Sequence, residues 1–135
     1  MFLNKTEIQV RYGETDQMGI VYHGNYAQYL EIGRIEWLRN LGISYKQMEK
    51  DGIMLPVVEL HLNYKKSACY DDVIQVTTQL KKIPTAKIEF EYKIENESGE
   101  ILTTAETTLV FIDMKTNKPM RCPQYILDKL HKTSL

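Results

Sequence analysis

A helix that is apolar on more than one side cannot rest on the surface of a fold; other elements have to wrap it. Residues 25–41 impose that demand on this chain. At about 100° per residue, Tyr26, Ala27, Leu30, Gly33, Trp37, Leu38 and Leu41 share one broad face. Tyr29, Ile32 and Ile35 lie on the other side, among Gln28, Glu36, Arg39 and Asn40. Arg34 falls inside the apolar face, with Glu31 one turn earlier at its edge. A guanidinium does not give up its charge, so the i,i+3 carboxylate reads as its structural partner. Gly24-Asn25 opens the helix, with Asn25 as its N-cap.

The wrapping material comes from the rest of the chain. ISYKQMEKDG (43–52) reads as a short second helix stopped by Gly52. Val58, Leu60, Leu62 and Tyr64 then alternate with Val57, Glu59, His61 and Asn63. After a turn at Tyr70-Asp71-Asp72, Ile74, Val76, Thr78 and Leu80 alternate with Val73, Gln75, Thr77 and Gln79. The clearest strand is KIEFEYKIE (87–95), with Ile88, Phe90, Tyr92 and Ile94 on one side and charges on the other. Asn96-Glu97-Ser98-Gly99 turns the chain into ILTTAETTLVFID (101–113), and Pro123 starts a last short helix. With IQVRY (8–12) as the first strand, the order is β-α-α-β-β-β-β-α. That order predicts an α+β fold in which a curved antiparallel sheet wraps one long central helix.

No repeat, linker or low-complexity segment divides the 135 residues, so one domain over 1–135 is expected. Such a sheet leaves an open edge, and the Tyr29, Ile32 and Ile35 face needs cover. Together these predict a homodimer or homotetramer. With 17 basic and 18 acidic residues the net charge is −1, which gives no basis for nucleic-acid or anionic-membrane binding. No apolar run has the length of a membrane span, and MFLNKTEIQ lacks the apolar core of a signal peptide. Cys69 and Cys122 have no CxxC spacing, so neither a disulfide framework nor a zinc site is expected. The expected compartment is the cytoplasm.

Chemistry concentrates just before the helix, in RYGETDQMGIVYHGNY (11–26). This stretch reads as a strand end followed by a glycine-broken loop that carries Asp16. Gly19 and Gly24 suit a sharp connection. An acid in such a loop supplies a base or nucleophile, and the first free N–H groups of the following helix supply an oxyanion site. Other candidates are weaker. Asp71-Asp72 is turn chemistry, and Cys122 and His131 lie in a short tail, so a nucleophile pair there is set aside.

An ordered set of residues then carries a family resemblance. It runs through Asp16, Gly19, Ile20 and Val21, then Tyr22, His23, Asn25 and Tyr26, then Tyr29, Glu31 and Arg34. With the Tyr70-Asp71-Asp72-Val73 turn, the chain resembles the hotdog-fold acyl-CoA thioesterases of the 4-hydroxybenzoyl-CoA thioesterase type. The resemblance implies a hotdog fold, subunits joined edge to edge, and active sites at the interface between them. It implies acyl-CoA as substrate and catalysis by Asp16, assisted by His23, as nucleophile or as general base on water. Gly19, Val21, Tyr22, Gly24 and Tyr26 would meet the substrate, and Lys81, Lys82 and Lys87 the coenzyme A nucleotide. Some members of that family use a helix carboxylate, so the resemblance makes Glu31 the second choice for catalysis, behind its structural reading. No metal or organic cofactor is implied. The competing readings are a hotdog dehydratase and a non-catalytic acyl-CoA-binding module.

Overall fold

In the computed structural model, which describes residues 2–133, the elements follow the order foreseen with three short strands added. They are β1 (Asn4–Gln9), α1 (Tyr26–Asn40), α2 (Tyr45–Lys50), β2 (Ile53–Met54), β3 (Val57–Tyr64), β4 (Val73–Leu80), β5 (Lys87–Glu95), β6 (Ile101–Val110), β7 (Ile112–Asp113), β8 (Lys118–Pro119) and α3 (Gln124–Thr133). The long strands form one antiparallel sheet in the order β1-β4-β5-β6-β3. Helix α1 packs across β1 and β4. Alternation works here as period-2 patterning should: Ile74, Val76 and Leu80, then Ile88, Phe90, Tyr92 and Ile94, face Leu30, Trp37 and Leu38 of α1 in the core. Trp37 meets Phe90 edge to face at 5.0 Å. Each such side chain, fully buried, contributes about 1.5–3 kcal/mol.

Four expectations need correction. The first strand is Asn4–Gln9 rather than 8–12, and residues 12–14 form a 3-10 turn. Main-chain pairing of Lys5 with Thr77 and of Ile8 with Ile74 holds β1, although its own alternation offers only Ile8 to the core side. The run 101–113 breaks at buried Phe111, whose N–H reaches Ala86, so β6 and β7 join different sheets. Asn25 does not cap α1 with its side chain, which instead donates to the Glu14 carbonyl at 2.8 Å. Tyr29 is not on a second, outward face: it is fully buried. Only Ile32 and Ile35 remain on that side with partial exposure.

Helix α2 carries the cap that α1 lacks, Ser44 Oγ accepting from Gln47 N–H at 3.2 Å. The expected Glu31–Arg34 pair forms at 4.0 Å, the guanidinium buried and Glu31 exposed. Strand β3 is a sheet edge, and its inward apolar side chains other than partly covered Leu62 are exposed. Leu60 lies opposite buried Thr107 and so faces the core side, yet it is 46% exposed. Val58 and Tyr64 are exposed to a similar degree. No described helix is long and apolar enough to cross a membrane.

Candidate active site

Between β1 and α1 the chain makes a miniature hairpin, bridged from Thr15 to Val21, with Asp16 at its mouth. Asp16 N–H donates to the Ile20 carbonyl at 2.8 Å, and the Asp16 carbonyl accepts Gly19 N–H at 3.0 Å. The side chain closes the turn locally, Oδ1 accepting from Met18 N–H at 2.8 Å. Gly19 has φ +79°, the left-handed geometry that a side chain would strain. Gly24 is required for space instead: a Cβ there would lie 2.7 Å from the Tyr22 ring. The hairpin is docked on the sheet side by Val21 N–H to the Ala68 carbonyl, 2.9 Å, and by a bridge between Ile20 and Cys69.

What holds the hairpin from beneath was not visible in the sequence. Glu14, exposed by only 7%, is the one buried carboxylate among the described residues. It accepts from Arg11 N–H at 2.8 Å, from Arg11 Nε at 3.1 Å and from the Tyr29 hydroxyl at 2.9 Å. Its carbonyl takes Tyr22 N–H at 2.9 Å and the Asn25 amide. Burial pushes the Glu14 carboxyl up, but the hydrogen bonds from Arg11 and Tyr29 and the Arg11 charge outweigh it and hold it below its usual value. Burial, and then the bond to Glu14, push the Tyr29 phenol well above its ordinary value. Glu14 and Tyr29 are fifteen positions apart in the chain but in direct contact in space; only Tyr29 stood in the motif set, and on the wrong face.

A pocket of about 230 Å³ opens beside the hairpin. Asp16, Val21, His23 and Tyr26 line it, joined by Lys65 and Lys66 and by Tyr64, the last of which sequence reasoning did not place there. Tyr22 and Gly24 belong to the same connection, where His23–Asn25 forms a 3-10 turn leading into α1. In that turn Asn25 N–H is the first to bond back, to the Tyr22 carbonyl, so the His23 and Gly24 N–H groups precede its first hydrogen bond. His23 is exposed and its ring packs on Tyr22 at 4.4 Å. Lys81, Lys82 and Lys87 do not join this group. They lie past the far end of β4 and at the start of β5, where Lys81 pairs with Glu106 at 3.4 Å and Lys82 with Glu89 at 3.3 Å. Burial raises the Cys122 thiol to about 12, which leaves it no nucleophile. A larger cleft, about 520 Å³, crosses the other face of the sheet among Glu91, Lys93 and Glu106; it has neither an acid in a turn nor free helix-end N–H groups.

This geometry has relatives. A family model described as the thioesterase-like superfamily matches residues 10–130. YneP of Bacillus subtilis (strain 168), whose name assigns it acyl-CoA thioesterase activity provisionally, is 40% identical over 121 residues, covering 90% of this chain and 88% of that protein. The acyl-CoA thioester hydrolase YbgC of Escherichia coli O6:H1 is 28% identical over 120 residues, 89% of this chain and 90% of YbgC. A crystal structure of a DHNA-CoA thioesterase from Staphylococcus aureus superposes with a TM-score of 0.91 at 43% identity, covering 99% of this chain and 90% of that one. The long buried helix laid on an antiparallel sheet is thus the hotdog arrangement, and the chain belongs to the thioesterase-like superfamily.

Proposed function

We propose that this protein hydrolyses acyl-CoA thioesters to a carboxylate and free coenzyme A in the pocket beside Asp16. The observation that carries the reading is the joint placement of an exposed carboxylate and the first N–H groups of a helical turn around one pocket, in a chain of this family. With Oδ1 engaged by Met18 N–H, Oδ2 is left for the reaction. As general base it takes a proton from water while the water oxygen attacks the thioester carbon. As nucleophile it attacks that carbon itself, giving a mixed anhydride that water then opens. On either route the C–S bond breaks and the carbonyl oxygen carries negative charge in between; the thiolate takes the proton that Asp16 removed from water on the first route, and a proton from the water that opens the anhydride on the second. The His23 and Gly24 N–H groups are suited to that charge. Val21 and Tyr26 line the wall and His23 the opening, while Gly19 and Tyr22 lie in the adjoining turns and do not line the pocket.

The distant lysines fit this reading through a second subunit. Antiparallel pairing of β3 with its copy puts the Val57 end of one strand beside the Tyr64 end of the other. Under that pairing the partner subunit's Lys81, Lys82 and Lys87 would fall at the same end of the joint sheet as Asp16. Thiol release from a panel of short, long and aromatic acyl-CoAs tests the function. Hydrolysis of at least one class is expected, with KM rising with salt because exposed ammonium groups bind phosphate through a screened charge. Tight binding without thiol release would leave a binding module instead.

A further inference from the structure

Tyr64 belongs to the edge strand β3, yet its hydroxyl donates to the main-chain carbonyl of His23 at 3.0 Å. The same carbonyl accepts Tyr26 N–H where the 3-10 turn runs into α1. The phenol ring stands edge-on to Tyr26 at 5.2 Å and to His23 at 6.5 Å, so it is held on two sides although half exposed. Burial raises the Tyr64 phenol above its ordinary value, and the group stays a donor at neutral pH. The His23 carbonyl and the Gly24 N–H belong to one planar trans peptide and point in opposite directions. A donor on the carbonyl therefore fixes the direction of that N–H and, by polarising the peptide, makes it a stronger donor.

We infer that Tyr64 is a positioning residue for the thioester reaction, holding the His23–Gly24 peptide from the edge strand so that its N–H meets the developing oxyanion. The inference rests on the hydrolytic reading above and adds to it a mechanical link. The strand through which two copies would pair also sets the oxyanion turn, so loosening one disturbs the other. Tyr64 is not a catalytic residue in this account, since its hydroxyl is spent on the main chain.

Tyr64→Phe removes the hydroxyl and keeps the ring packed on Tyr26, so the fold is retained. Its kcat is expected to fall about 3- to 10-fold, the loss set by one neutral hydrogen bond acting in the transition state. KM should stay within about twofold, because ground-state contacts persist. In a 15N-labelled sample the Gly24 amide resonance should shift, a signature that loss of packing alone would not confine to that peptide. Tyr70→Phe, at an exposed ring that touches only Tyr12 among the aromatic side chains, is the control and should behave as wild type. An unchanged kcat in Tyr64→Phe, with an active wild type, overturns the positioning role and leaves the hydrolase reading intact. A raised KM at unchanged kcat overturns it too, by making Tyr64 a substrate contact. A wild type that releases no thiol overturns both.

Discussion

Glu14 shows what a single side chain contributes here beyond chemistry. Its carboxylate joins Arg11, two residues beyond β1, to Tyr29 inside the helix, and its carbonyl holds Tyr22 and Asn25, so the Asp16 hairpin is tied on both flanks. Glu14→Gln sets an amide N–H against Arg11 Nε and leaves a buried donor unpaired, at a cost of about 1–3 kcal/mol in a chemical denaturation experiment. The pH dependence follows from the lowered carboxyl. A folded pKa below the unfolded value stabilises the protein fully above about pH 4.5, and that contribution is lost as pH falls through the folded pKa. Wild type should therefore lose more stability than Glu14→Gln on going from neutral pH to acid below 4, and parallel losses would contradict this. Asp16 was legible because a loop acid followed by glycines and a helix start is a pattern. Glu14 was not, because nothing local distinguishes a carboxylate that will be buried by a tyrosine fifteen positions away.

Among the elements, the seating of α1 on the sheet depends on Gly33. A Cβ there would come within 2.6 Å of Thr78 Oγ1 and 2.9 Å of Val76 Cγ1, both in fully buried residues of β4. Alanine would gain about 1 kcal/mol of helix propensity, but overpacking costs about 1–3 kcal/mol. Gly33→Ala should lower the melting temperature despite its better propensity; a rise would mean the helix lies farther from the sheet than described. Element type was readable where apolar periodicity was strong, as in 87–95. It failed at β1, where NKTEIQ offers little alternation and main-chain pairing with β4 decides. On β3 the pattern rightly found a strand, but alternation encodes which side chains face inward and not whether one chain can cover them.

That uncovered strand is the whole-molecule question. Val58, Leu60 and Tyr64 expose apolar surface along an open edge, a liability that proteins relieve by pairing. Sedimentation at micromolar concentration is expected to show at least a dimer. Leu60→Asp, placing a charge on that surface, should shift the protein toward monomer and reduce thiol release with it; a fully active monomer would remove the shared-site account. The proposed hydrolysis rests on Asp16, and Asp16→Asn is its most direct test. Asparagine keeps the Oδ1 acceptor for Met18 N–H and so preserves the turn, while removing charge and basicity. Thiol release by Asp16→Asn, measured beside acyl-CoA affinity on the same folded sample, should fall about 10²–10⁴-fold with binding retained. An Asp16→Asn protein that hydrolyses acyl-CoA at the wild-type rate would contradict the central claim and move the reaction to another carboxylate, Glu31 first.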